Sequence, residues 1–469
     1  MESPVYLYLP KGHSEYNKAN SHVYRCPASI YGLTISGRVW YLKFVEVVGK
    51  YGLKASARCP CIFKKGKGEN MLILILYVDD FIFGSNCKQE VEKCESFLKK
   101  ELQIKSTKNI KKFVGAEFQF GTHLFLHQEE MILNVAKEHE VSRNYRTPMI
   151  ENLRWKVNSK RLENIKILQQ IIGELSYLNS LTRPDISFAV NKIAREIHNA
   201  SFEHFRAAKR ILSYLWTTVK KGIKIKKYDN EEWILQLYTD SSFADVPEQK
   251  FKLTAGLLIF LNNTPVMWKS KSLKWVCTSS AQAEYLSLYY GAREAIYIGY
   301  LVEEIFEKKI FPIKGFIDNM SVIQTLHKSV PTNVNKHFKT KFFALNQWIE
   351  EGLLDISYVP TAQNKADGMT KSLNEVKFNS CFDTVLEERG SIQTVTQLAR
   401  SHLCKSKCKP AQVSLGNTKK SRREFIGINE RTQGKNTDRA SAHRLMTNQR
   451  ETVKGTVGGD KNRIELVKN

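Results

Sequence analysis

Between Trp233 and Leu373 short apolar runs alternate with stretches of helical period, and four acidic residues fall where those runs end or those helices begin. Ile234–Thr239 reads as a strand that Asp240 closes. Thr254–Leu261 and Thr264–Lys269 read as a hairpin about Asn262–Asn263, with Trp275–Thr278 a further short strand. A long helix starts near Ser280 and runs past Ile298, placing Glu284 one turn in. Gly315–Ile317 is a strand closed by Asp318, ahead of a helix over Ser321–Lys328. A helix over Phe338–Glu351, a strand over Leu354–Tyr358 and a short helix over Ala366–Leu373, opened by Asp367, complete the region. Strands followed by alternating helices and strands imply an α/β layer with a mixed sheet. In such a sheet strand ends and helix starts converge on one crevice.

Four carboxylates in one crevice repel each other unless hard cations neutralise them. Two Mg2+ ions, with Mn2+ as a substitute, held roughly 4 Å apart can generate a nucleophilic water and stabilise the leaving oxygen in phosphodiester cleavage. Taken singly, each acid reads as a helix cap or a surface carboxylate. This holds above all for Asp367, since acids are common in a first helical turn. Four of them, in this order on these elements, select the metal site.

Upstream, a helix over Gly37–Tyr51 precedes an apolar strand, Met71–Tyr77, a tight acidic turn at Asp79–Asp80, a short strand, Phe81–Phe83, and a charged helix, Lys88–Leu102. Two strands joined there form a β-hairpin with its carboxylates at the bend. Strands over Phe113–Phe120 and His123–His127 follow, then helices over Ile165–Leu181, Ile186–His198 and Glu203–Tyr214. Thr182-Arg183-Pro184-Asp185 divides the first two helices.

Charge narrows the partner. The 469 residues carry 72 Lys+Arg against 47 Asp+Glu, a net +25, and nucleic acid is the first polyanion to consider. From Arg400 to Asn469 the balance is 17 Lys+Arg to 6 Asp+Glu with little apolar periodicity, which predicts a disordered basic tail. The first 399 residues remain basic at +14. The longest clean apolar run, Met71–Val78, is too short to span a bilayer, and no membrane partner is expected. Met1–Pro10 lacks the pattern of a signal peptide, so the nine scattered cysteines are expected to be reduced and the protein intracellular, in cytoplasmic particles or the nucleus.

Specific motifs carry a resemblance. Tyr238-Thr239-Asp240, Trp268-Lys269-Ser270-Lys271, Ser279-Ser280-Ala281-Gln282-Ala283-Glu284-Tyr285, Ile317-Asp318-Asn319 and Asn364-Lys365-Ala366-Asp367-Gly368-Met369-Thr370-Lys371 resemble the ribonuclease H domain of a copia-type LTR-retrotransposon Pol polyprotein. The family's four metal-binding acids then map onto Asp240, Glu284, Asp318 and Asp367. The resemblance implies Mg2+-dependent hydrolysis of the RNA strand of RNA–DNA hybrids, which are recognised through backbone geometry and 2′-hydroxyls. It also places nucleic-acid contacts near Lys336, His337, Lys339 and Lys341, a basic cluster that otherwise reads as a solvated face.

Tyr77-Val78-Asp79-Asp80 resembles the reverse-transcriptase palm signature of the same family. Ile30-Tyr31-Gly32-Leu33 with Arg38 and Trp40, Phe113-Val114-Gly115, Gly173-Glu174-Leu175-Ser176-Tyr177-Leu178 and Thr182-Arg183-Pro184-Asp185-Ile186 follow its motifs in order. The family's first catalytic aspartate precedes the segment matching Val5–Gly12, so the polymerase is expected to lack that acid and its fingers and not to polymerise alone. Ile35 stands where the family usually has Gln.

The expected organisation is α/β (α+β): a truncated palm over 1–145, a helical thumb or connection region over 146–230, a ribonuclease H-like mixed sheet with helices over 231–375, and a basic disordered tail over 376–469. Association with other retroelement proteins is left open. The competing readings are a catalytically inactive nucleic-acid-binding remnant and an integrase-like nuclease. The latter is disfavoured because Glu284 comes before Asp318 rather than last.

Overall fold

Alternating burial builds the first sheet. The computed structural model describes residues 5–8, 12, 23–26, 412–417 and 29–389, the last apart from 31, 103, 108–109, 142, 157–158, 229–231, 243–252, 274–276, 278 and 327–335. The chain divides into two units, Met1–Leu33 with Ser421–Asn469, and Thr34–Lys420. In the first unit β1 (Val5–Tyr8) and β2 (Val23–Cys26) pair antiparallel. All other described elements belong to the second.

There α1 (Ser36–Lys50) leads into β3 (Lys54–Ala55), β4 (Ile62–Lys65), β5 (Leu72–Tyr77), β6 (Asp80–Ser85), α2 (Lys88–Leu102) and β7 (Lys105–Thr107). Leu72, Leu74 and Leu76 on β5 and Phe81 and Phe83 on β6 point to one buried face, which α1 covers with Phe44, Val47 and Val48 and α2 with Val91 and Leu98. That period of two fixes the register of the β5–β6 hairpin.

The next sheet differs from the sequence expectation. The single strand expected over Phe113–Phe120 is a hairpin of β8 (Lys112–Phe113) and β9 (Ala116–Phe120), turned by Val114 and Gly115, both at positive φ. Tyr177 donates its hydroxyl to the Val114 carbonyl at 2.9 Å, and a Cβ on Gly115 would collide with that hydroxyl. β10 (Leu124–His127) continues the sheet and α3 (Glu129–Glu138) leaves it. The helices α4 (Ile165–Leu181), α5 (Ser187–Ala194) and α6 (Phe202–Thr217) follow, with the break before α5 at the expected Arg-Pro-Asp stretch. β11 (Lys221–Ile225) then returns to pair with β10.

The acid-bearing region is a five-stranded mixed sheet in the order β14-β13-β12-β15-β16. β12 (Leu235–Ser242), β13 (Leu253–Leu261) and β14 (Thr264–Leu273) are antiparallel, whereas β15 (Ile313–Ile317) and β16 (Leu354–Tyr358) run parallel to β12. Asn262 and Asn263, both at positive φ, make the β13–β14 turn as expected. α7 (Ser280–Phe306), α8 (Met320–Leu326) and α9 (Lys336–Glu350) cover one face through Leu288, Ala292, Ala295, Val322, Phe342 and Leu345. The other face, with Tyr238, Leu258 and Phe260, joins the core of α4–α6. Trp268 of β14 locks the two together by donating to the Asn179 carbonyl of α4 at 2.7 Å. The expected strand over Trp275–Thr278 lies largely outside the described residues.

Two corrections concern the end of the chain. The helix expected over Ala366–Leu373 is one 3-10 turn, Asp367–Met369. Beyond the expected boundary at 375 the chain stays structured. α10 (Glu375–Phe382) buries Phe378, Cys381 and Phe382, and β17 (Glu387–Glu388) pairs with β11. The buried Phe-Cys-Phe spacing over so short a helix is hard to separate from a polar tail by periodicity. Further on, β18 (Gln412–Asn417) pairs antiparallel with both β6 and β7. The rest of the expected disordered tail lies outside the described residues. Among the described residues no helix is long and apolar enough to cross a membrane.

Candidate metal centre

β12 carries the first acid, and it does so inside the strand rather than at its end. Ser241 and Ser242 extend the pairing past Asp240, opposite Ala255 and Thr254. Asp240 is buried, with its backbone held from two sides. Ser287 of α7 donates to the Asp240 carbonyl at 2.7 Å, and Asn364 donates to the Thr239 carbonyl at 3.0 Å. Glu284 rides the first turns of α7, started by Ser279, whose side chain accepts from the Gln282 N–H. α7 approaches β12 closely because Gly291 lies where a Cβ would strike Thr239 and Leu237. Asp318 follows β15 directly, one strand away from Asp240.

One carboxylate oxygen each of Asp240, Glu284 and Asp318 lies within 4.8 Å of the other two. Glu284 Oε1 accepts from the Ser241 N–H at 3.3 Å, while its Oε2 is buried with no hydrogen-bond partner among the described residues. Leaving a buried carboxylate oxygen unmatched costs on the order of 1–3 kcal/mol or more. The electrostatics agree. Burial, then Asp240 and Asp318, push the Glu284 carboxyl up to about 9. Burial likewise raises Asp240 to about 7, against the pull of Lys371. Three converging carboxylates, one with an orphaned oxygen and two of them, Asp240 and Glu284, shifted upward by burial, fit a hard divalent cation.

Asp367 stands beside this trio rather than within it. Gly256, opposite Asp240 in the β12–β13 register, has no side chain, and a Cβ there would sit 2.6 Å from Met369 Cβ and 2.7 Å from Thr370 Cγ2. The 3-10 turn can therefore lie against the sheet. Thr370 donates its hydroxyl to Asp240 Oδ2. The Lys371 ammonium is 2.5 Å from Asp367 Oδ1 and 3.5 Å from Asp240 Oδ2. Burial works against the Lys371 charge, but Asp240 and Asp367 outweigh it and hold its pKa above the ordinary value. Lys371 had no role in the sequence reading. Its only signal was a position four residues after Asp367, the spacing at which helical neighbours meet.

The other expected residues are distributed differently. Asp79 and Asp80 lie at the β5–β6 bend, where Val78 takes a positive φ of 57° and its carbonyl accepts from Trp40 Nε1 at 2.6 Å. Among the described residues no third acid joins them in a metal-sized cluster. Lys336 and His337 begin α9, but their side chains lie outside the described residues. Lys341 is 5.8 Å from the Tyr289 ring, and burial lowers its pKa; Lys339 is half-buried.

Residues 1–151 match the family model described as reverse transcriptase (RNA-dependent DNA polymerase). The Retrovirus-related Pol polyprotein from transposon RE1 of Arabidopsis thaliana is 28% identical over 380 residues, covering 80% of this chain and 26% of that protein. The chain thus spans about a quarter of the length of such curated relatives. Among solved structures, LC11-RNase H1 in complex with RNA/DNA hybrid covers 29% of this chain and 92% of its own, at 16% identity and a TM-score of 0.23. The foamy viral protease-reverse transcriptase in complex with RNA/DNA hybrid covers 72% of this chain and 40% of its own, at 14% identity and a TM-score of 0.43. At these scores the structural overlaps carry no weight of their own. The sequence matches do: residues 1–151 are similar to reverse transcriptases, and about four fifths of the chain is similar to retrotransposon Pol polyproteins.

Proposed function

We propose that residues 231–375 hydrolyse the RNA strand of RNA–DNA hybrids with Mg2+, or Mn2+ in its place, and that Asp240, Glu284, Asp318 and Asp367 are the catalytic acids. The observation that carries this reading is the gathering of Asp240, Glu284 and Asp318 within 4.8 Å around a buried, unmatched Glu284 oxygen. Asp240, Glu284 and Asp318 would hold one ion, and Asp240 with Asp367 a second. Bound there, divalent cations activate water and stabilise the leaving oxygen.

The chain's own groups prepare that site. Ser287 and Asn364 fix the β12 backbone so that the Asp240 carboxylate has one aim. The Ser241 N–H orients Glu284 through Oε1 and leaves Oε2 for a cation. Burial of Asp240 and Glu284 excludes bulk water and strengthens every charge interaction in the crevice. A basic surface, +14 over the first 399 residues, favours a nucleic-acid partner. Lys336, His337, Lys339 and Lys341 on α9 are the proposed backbone contacts.

Polymerisation is not part of this proposal, because Asp79 and Asp80 stand without a third acid among the described residues. Primer extension by the full chain on poly(rA)/oligo(dT) is expected to be absent. The defining experiment is Mg2+-dependent cleavage of labelled RNA in a hybrid, beside the same RNA single-stranded. Cleavage confined to the hybrid and lost in Asp318→Asn is the expected result. No cleavage by a folded wild-type chain would replace this reading with that of an inactive nucleic-acid-binding remnant.

A further inference from the structure

The four acids are not equivalent in the charge that surrounds them. On one side Asp240, Glu284 and Asp318 converge with no ammonium or guanidinium group within salt-bridge distance of Glu284 or Asp318 among the described residues. On the other side the Asp240–Asp367 pair already holds a cation, the Lys371 ammonium, at 3.5 Å and 2.5 Å. The Lys371 side chain is 41% exposed, so its head can leave the crevice for water without unfolding anything. A flexible four-carbon stem with a compact charge suits such exchange.

We propose that the Lys371 ammonium is a built-in competitor for the second divalent ion: the first ion binds on Asp240, Glu284 and Asp318, and the second enters only by displacing Lys371 from Asp240 and Asp367. This rests on the metal-dependent reading above and adds to it an order of loading. Two consequences follow from charge alone. The metal-free fold keeps Asp240 and Asp367 from repelling each other, because the lysine stands between them. The second ion binds more weakly than the first, because it must break a charge-assisted hydrogen bond on Asp367 before it gains its own ligands. Loading of the centre is then steep in metal concentration and can be driven by anything that draws Lys371 outward, such as a phosphate of a bound nucleic acid.

The test is direct binding of Mn2+ to the full chain, followed by the loss of its free-ion electron paramagnetic resonance signal, with no turnover involved. Wild type is expected to bind two ions, the second about tenfold more weakly than the first. Lys371→Met should bring the second affinity to within about threefold of the first, with a smaller gain in the first, whose ligand Asp240 also faces the ammonium. Lys371→Arg keeps a cation in place and should keep the weak second step. Melting provides a readout that does not depend on resolving two steps. Lys371→Met should melt below wild type in a chelator and gain more from saturating Mn2+. A second affinity unchanged or weakened in Lys371→Met, or equal affinities in wild type, overturns the competitor role while leaving the metal centre standing. No Mn2+ bound at all by a folded wild-type chain overturns both.

Discussion

Two buried charge clusters in the same unit are built on opposite terms. In the break between α4 and α5, Arg183 and Asp185 are fully buried and satisfy each other. Arg183 Nε donates to Asp185 Oδ1 at 3.0 Å and Nη2 to Oδ2 at 2.7 Å. Thr218 takes Nη1 on its carbonyl at 3.1 Å and Nη2 on its hydroxyl at 2.6 Å, and Tyr214 donates to Asp185 Oδ2 at 2.5 Å. The charges cancel and the polar atoms are matched. In the crevice around β12, three carboxylates meet with one oxygen unmatched, and among the described residues only one side carries a counter-charge. A cluster that closes on itself holds the fold; the one left incomplete is the proposed metal centre.

The comparison breaks most visibly by removing one member from each cluster. Arg183→Met leaves Asp185 charged and buried without its partner, and should cost on the order of 3–5 kcal/mol in a urea unfolding curve. A loss below about 1 kcal/mol would mean that the network is not structural. Asp318→Asn should do the reverse. Hybrid cleavage should drop by at least ~100-fold, since groups that merely orient metal ligands already account for 10–100-fold. Its midpoint of unfolding without metal should not fall, because one repelling charge has gone.

A smaller effect tests the close approach that joins Asp367 to Asp240. Gly256→Ala places a methyl against Met369 Cβ and Thr370 Cγ2, and should destabilise by about 1–3 kcal/mol as overpacking does. Mn2+ affinity should weaken with it, whereas an unchanged affinity would free the site from the position of the 3-10 turn.

The smallest expected effect is a dependence on pH. The Glu284 carboxyl is raised to about 9 in the fold, from an ordinary value near 4.5. Its contribution is therefore full below about pH 4.5 and is lost as pH rises towards and through 9. Asp240, raised to about 7, acts in the same direction. The metal-free melting temperature should fall from pH 5 to pH 9, and Glu284→Gln should flatten that slope. Saturating Mg2+ should flatten it too, because the ion takes the ionised form and binding releases protons. A melting temperature that rises over this range would contradict the burial of these acids.

Much of this architecture was legible because apolar patterning reports burial. The β5–β6 hairpin, α4 and the β13–β14 turn at Asn262–Asn263 lie close to their expected places, since each has a face that must be dry. Polar residues that pair in a strand leave no such mark. Ser241 and Ser242 therefore extended β12 past the point where the apolar run stops, and moved Asp240 from a strand end to a strand interior. The 3-10 turn at Asp367 was read as a helix because its shape is set from outside. Asn364 ties that segment to Thr239, and Gly256 gives it room. Arg183 and Lys371 show the limit most clearly. Each is an ordinary basic residue in the sequence, and only the fold turns one inward to a carboxylate and the other across two.

If Asp240, Glu284 and Asp318 form a divalent-cation site, an anomalous-difference map from crystals of the chain grown with Mn2+ will reveal the ion itself. The expected result is a peak within about 2.0–2.3 Å of an oxygen from each of the three, including the buried Glu284 Oε2. A well-ordered crevice with no peak, or a peak bound elsewhere while Glu284 Oε2 stays unmatched, would contradict it.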